Sequence, residues 1–131
     1  MKLVAIVFSL FLLCSCKSTH WMYLENESGK DALVQVFLSN QAKLRSQDSI
    51  VIINSPDLNF KVPISKNYST HSYSFVLPDK KSAILQNGKG KPDLTGKLVI
   101  NHIDTIVLGK SERVWFENDD LSTDEALIVI K

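Results

Sequence analysis

Ala32-Leu33-Val34-Gln35-Val36-Phe37-Leu38 decides the fold. Val34, Val36 and Leu38 fall on one side, and Gln35 and Phe37 on the other. A period of two is that of a strand, whose successive side chains point to opposite faces. Working back from this stretch, Glu25–Asp31 is turn material and Trp21-Met22-Tyr23-Leu24 reads as a first strand. Working forward, Ile50–Ile53 is a short β-branched run of the kind a strand covered on both faces uses. Leu58, Phe60, Val62 and Ile64 alternate with Asn59, Lys61 and Pro63, which predicts burial of one face. Pro63 lacks an N–H and points to an edge strand or a bulge.

Tyr73, Phe75 and Leu77 alternate with Ser72, Ser74 and Val76, and Pro78-Asp79-Lys80-Lys81 ends that strand. Ala83–Leu85 follows, then a loop over Asn87–Asp93. Leu98–Ile100, Ile106–Leu108, Val114–Phe116 and Leu127–Ile130 complete the set. The one helix-like stretch, Asp119–Ala126, is short and polar, and no amphipathic helical pattern of about a dozen positions follows residue 16. Many short strands separated by turn residues at roughly ten-residue spacing predict an all-β chain, an antiparallel β-sandwich. No internal repeat at a fixed period is visible.

The N-terminus has a different character. Lys2 is followed by an apolar run, Leu3–Leu13, broken by Ser9. Eleven residues at about 1.5 Å each fall far short of a roughly 30 Å hydrocarbon core, so the run reads as a signal-peptide h-region. The next residues, Leu13-Cys14-Ser15-Cys16, resemble the lipobox of bacterial lipoproteins: an aliphatic residue, two small residues, then the Cys. That resemblance implies cleavage before Cys16 and a diacylglycerol thioether on its sulfur. Cys14 fits less well as the lipidated residue because Leu13 is too large for the position before it. The alternative is ordinary secretion, with Cys14-x-Cys16 as a small-x-small cleavage site. Lys17, rather than Asp, follows the Cys, and in the enteric members of the class this leans toward the outer membrane. The organisation expected is a signal peptide over 1–15, lipidated Cys16 with a short tether over 16–20, and a single domain over 21–131.

Removing 15 of the 131 residues leaves 116, enough for one core without staples. Of the 15 basic residues, Lys2 goes with the signal, leaving 14 against 14 acidic residues. A neutral chain without a basic cluster argues against nucleic acid as a partner. With Cys16 lipidated and Cys14 removed, neither a disulfide nor a Cys-ligated zinc is expected, and no cofactor is implied.

The strand pattern also carries a resemblance. Leu38-Ser39-Asn40-Gln41, Ile50-Val51-Ile52-Ile53, Phe60-Lys61-Val62-Pro63 and His71-Ser72-Tyr73-Ser74-Phe75 are similar to small immunoglobulin-like β-sandwich lipoproteins of Gram-negative envelopes. Some envelope lipoproteins of secretion machines use a similar transthyretin-like sandwich. The likeness implies a fold, immunoglobulin-like or transthyretin-like, and no chemistry.

Candidate chemical sites are few. His102 and Asp104 would share a face on a strand, but Asn101–Asp104 lies between two strand runs and reads as a hairpin turn, and no nucleophile elbow accompanies it. His20, His71 and His102 match no metal-site spacing. Asn118–Glu125 is acidic but lacks calcium-loop spacing, and reads as a solvated loop. Gly88-Lys89-Gly90-Lys91 is followed by Pro92-Asp93, which is not the helix that a phosphate loop requires. No metal site is predicted.

The aromatics Trp21, Tyr23, Tyr68, Tyr73 and Trp115 remain as binding candidates, with Tyr68, Tyr73 and Trp115 singled out. Trp115 faces away from Val114 and Phe116, and its ordinary fate would be the core. Two functions are consistent with this inventory. One is a non-catalytic envelope lipoprotein that binds or scaffolds a protein or a glycan through an exposed edge or aromatic face. The other is a small periplasmic hydrolase or metal-dependent enzyme, which needs a convergent polar site that the sequence does not supply. The last strand, Leu127–Ile130, reads as an edge guarded by nothing but Lys131.

Overall fold

The computed structural model describes residues 19–39, 48–119 and 123–131, with the side chains of 116–119 and 123 left aside. Period-two alternation becomes strands throughout. The chain runs through β1 (Thr19–Asn26), β2 (Ala32–Phe37), β3 (Ser49–Ile53), β4 (Phe60–Pro63), β5 (Ser65–Asn67) and β6 (Ser72–Leu77). It continues with β7 (Ser82–Lys89), β8 (Lys97–Ile100), β9 (Asp104–Val107), β10 (Val114–Asp119) and β11 (Thr123–Ile130). Two sheets form, a six-stranded one in the order β10-β11-β1-β7-β3-β4 and a five-stranded one in the order β5-β6-β2-β8-β9. Every ladder is antiparallel except β1 with β11, which run parallel from Thr19↔Thr123 to Asn26↔Ile130. The fold is an all-β sandwich.

The core is the set of inward residues of both sheets. Met22, Leu24, Ile50, Ile52, Ala126, Ile128 and Ile130 face Val34, Val36, Phe75, Leu77, Leu98, Ile100 and Ile106, all buried. Each of these side chains larger than Ala126 contributes about 1.5–3 kcal/mol on leaving water, so parity along each strand is strongly enforced. Tyr73 belongs to this core at 3% exposure.

Several expectations need correcting. β1 takes in Thr19 and His20 before Trp21, and strand continues through Glu25 and Asn26. Ile50 and Ile52 are buried but Val51 and Ile53 are half-exposed, so β3 is covered on one face and not on both. Leu58 is 90% exposed and Phe60 sits at the surface. Their alternation runs past the start of β4 into the Ser55-Pro56-Asp57 connection, which Asn59 closes by accepting the Asn54 N–H at 3.1 Å. Pro63 does mark an edge, since β4 ends the six-stranded sheet. One residue later the chain has crossed to β5 on the other sheet.

Gln86–Lys89 extends β7 instead of forming a loop, pairing His20 with Gly88 and Thr19 with Lys89. Asp119–Ala126 is strand at both ends, with Asp119 paired to Thr123. β11 lies between β10 and β1 and is not an edge. Its Ala126, Ile128 and Ile130 face the core, while Leu127 on the outer face is 36% exposed. The expected signal peptide and lipidated Cys16 lie outside the described residues.

Candidate binding face

Strand parity that sends Met22 and Leu24 inward sends Trp21 and Tyr23 outward. They stack in parallel on β1, with centroids 6.1 Å apart and planes 3° apart. On the neighbouring strands the same parity turns out Leu127, Ile84 and Trp115, each flanked by described neighbours that are buried. Register then joins them. Trp115 lies opposite Leu127, Leu127 opposite Tyr23, and Tyr23 opposite Ile84. A row of two aromatic and two aliphatic side chains thus crosses four strands on the outside of the six-stranded sheet. Trp115 is 68% exposed and Leu127 is 36% exposed. Half-exposed Val51 and Ile53 of β3 lie on the same outer face.

One border of this face is acidic. Glu125 lies opposite Trp21 in register and opposite Glu117 on its other side. Burial raises the Tyr23 phenol above its usual range, and the Glu125 charge raises it further. Glu25, two residues along β1, is also raised, first by desolvation, then by a hydrogen bond with Glu27 and by the charge of Glu27. Such a surface offers flat apolar contact together with aromatic faces and carboxylates that favour a cation.

The three residues singled out in the sequence do not come together. Trp115 is on this face and outside the core, because its β10 neighbour Val114 takes the inward position. Tyr68 is 74% exposed but belongs to the β5–β6 turn of the other sheet. Its polar neighbours serve that turn: the Asn67 side-chain Oδ1 accepts the Ser69 N–H, the Ser69 hydroxyl and the Thr70 N–H at 3.1, 2.7 and 3.3 Å. Tyr73, being buried, has no ring to offer a ligand. Trp21 and Tyr23 do join Trp115. Leu127, Ile84 and Glu125 were missed, because only the register brings them to Trp115.

The histidines scatter. His20 Nδ1 lies 3.0 Å from the Gly90 carbonyl, and His71 sits at the start of β6. Asn101 and His102 form the β8–β9 turn, both with positive φ, and Asp104 pairs with Arg113 at 2.7 Å. The turn reading holds for Asn101–Ile103, and Asp104 opens β9 opposite Ile100. Asn101 is tied down as well: its Oδ1 accepts the Leu33 N–H at 2.8 Å. Among the described residues no group of three or more His, Cys, Asp or Glu is arranged to hold a metal. Of the acidic stretch, Asn118 and Asp119 pair with Asp124 and Thr123 as strand, and 120–122 lie outside the described residues. No helix among the described residues is long and apolar enough to cross a membrane. Comparison with protein-family models, with curated proteins and with solved structures finds no match.

Proposed function

We propose that this protein is a non-catalytic, lipid-anchored module of the bacterial envelope that binds another protein through the outer face of its six-stranded sheet. The observation that carries the reading is the Trp115–Leu127–Tyr23–Ile84 row. A sheet face open to water is ordinarily polar, and a contiguous apolar patch containing Trp and Tyr is the composition of a protein contact. Glycan sites need polar side chains around the ring to fix hydroxyls. The neighbours of Trp115 in the row are aliphatic or aromatic, and those of Tyr68 are engaged in a turn, so a protein is the better-supported partner.

The lipobox-like Leu13-Cys14-Ser15-Cys16 supports the anchor. With β1 starting at Thr19, three residues past Cys16, the chain spans at most about 10 Å between the lipid and the first strand. In this reading the domain sits close to the membrane that carries the anchor, and Lys17 after the Cys favours the outer membrane, with this face able to reach envelope partners. Replacing Cys16 with Ser should move the protein from the membrane to the soluble envelope fraction; retention in the membrane would refute the anchor. Pull-down from envelope extract should lose its partner on Trp115→Ala and keep it on Tyr68→Ala, while a glycan panel stays blank. Capture indifferent to Trp115 in a stably folded variant, or turnover of an ester, peptide or glycoside lost on His102→Ala, would overturn the reading.

A further inference from the structure

The four sheet edges are not equally defended. β4 carries Lys61 and ends in Pro63, and β5 is three residues long. β9 is four residues long, and its first residue, Asp104, is bridged to Arg113. Short length, Pro, Lys and inward or paired charge are the usual protections against edge-to-edge addition. β10 is neither short nor guarded by Pro or Lys, and the charges in its sequence are acidic. It runs six residues, Val114–Asp119, in an unbroken register with β11, and contains neither Pro nor Lys. Among the described residues its one strand neighbour is β11. About half of its backbone N–H and C=O groups therefore face outward without a ladder partner.

Charge says what fits there. The sequences of β10 and β11 contain Glu117, Asp119, Asp124 and Glu125 and no Lys or Arg. The exposed indole of Trp115 sits on the same strand, its face suited to a cation. We propose that β10 is a docking edge for an extended, basic polypeptide segment, which adds as a seventh strand to the six-stranded sheet. Main-chain pairing with β10 supplies the affinity. Lys or Arg at alternate positions lies over Trp115 and along the acidic ribbon, which supplies the selectivity. This deepens the proposed function and rests on it, since the guest strand would extend the Trp115–Leu127–Tyr23–Ile84 row by one more position.

The test uses the full chain in detergent and three labelled ten-residue peptides followed by fluorescence anisotropy. One alternates Lys and Val, one has Glu for every Lys, and one copies the first with N-methyl groups on four consecutive central residues, blocking both of its edges. The Lys peptide should bind about tenfold or more tighter than either of the others, and less tightly as salt rises. The double variant Asp124→Lys, Glu125→Lys should weaken it about tenfold at an unchanged denaturation midpoint. Equal binding of the Glu or N-methylated peptide, or indifference to the double variant, would overturn the proposal. Absence of all peptide binding, with envelope capture still lost on Trp115→Ala, would sink the edge and leave the proposed function standing.

Discussion

Asn26 is the residue whose loss should be felt most for its size. It is fully buried at the end of β1. Its Nδ2 donates to the Leu77 carbonyl at 3.0 Å and to the Lys30 carbonyl at 2.8 Å. Its Oδ1 accepts the Ser28 N–H at 3.1 Å and the Ser28 hydroxyl at 2.7 Å. One amide thus joins the six-stranded sheet to the last residue of β6 on the other sheet, and folds the Glu27–Asp31 turn. Asn26→Ala keeps the backbone bonds to Lys80 and Lys81 and removes these four. Taking a donor from the buried Leu77 carbonyl costs about 1–3 kcal/mol, and loosening the turn about 1 more, so a loss of about 2–4 kcal/mol is expected.

Asn26→Asp puts a carboxylate oxygen where Nδ2 stood, facing the Leu77 and Lys30 carbonyls. Leaving a buried charge uncompensated costs about 3–5 kcal/mol at pH 7. Burial raises that carboxyl above its unfolded range, so the deficit grows as pH rises from the unfolded pKa and shrinks on acidification, when the neutral acid can donate once. Urea unfolding of the full chain, followed by Trp fluorescence at pH 7 and pH 4.5, measures both variants. An Ala variant within about 0.5 kcal/mol of the parent, or an Asp variant no worse than Ala at pH 7, would refute the reasoning.

Two further outcomes follow from local geometry. A Cβ on Gly96 would collide with the Phe37 carbonyl oxygen, a backbone atom that cannot swing aside. Gly96→Ala should therefore cost about 1–3 kcal/mol, read as a lower urea midpoint, and an unchanged midpoint would show that β2 and β8 part without penalty there. Desolvation, then the Glu27 hydrogen bond and charge, raise Glu25 above its ordinary 4.5, so the fold holds this proton more tightly than the unfolded chain. Stability from this group is greatest below the unfolded pKa and is lost as pH rises through the folded one. Glu25→Gln should gain stability at pH 7 and flatten the slope above pH 4.5, and an unaltered slope would count against it.

What the sequence makes legible is parity, and the reason is physical. Val34 and Val36, or Tyr73, Phe75 and Leu77, alternate because a core lies on one side of each strand, and that constraint acts residue by residue. Parity fails where a strand ends earlier than its pattern. Leu58 keeps the rhythm of Phe60, Val62 and Ile64 but is taken by the connection before β4. The acidic run Asn118–Glu125 reads as a solvated loop because charge obscures parity, yet Asn118, Asp119, Asp124 and Glu125 are paired strand residues. Partner choice is not written locally at all. Leu127–Ile130 looks like a terminal edge in the chain, yet β1 pairs with it in parallel and β10 takes the edge instead.

The candidate face shows where that limit falls for function. Alternation alone separates Trp115 from Val114, but not which side is wet, and a lone Trp is more often inside than out. Tyr73 looks as available as Tyr68 until Leu77 and Phe75 are seen to point the same way into the core. Trp115, Leu127, Tyr23 and Ile84 come from four stretches of sequence, and each alone is an unremarkable outward position. Their meeting depends on three registers, one of them displaced by the irregularity between Met22 and Tyr23. A shift of one residue in any of these ladders would turn that strand's member of the row inward and break the patch. The candidate face is thus a property of pairing between strands, while the residue types it joins, an indole at Trp115 and a carboxylate at Glu125, are already present in the sequence.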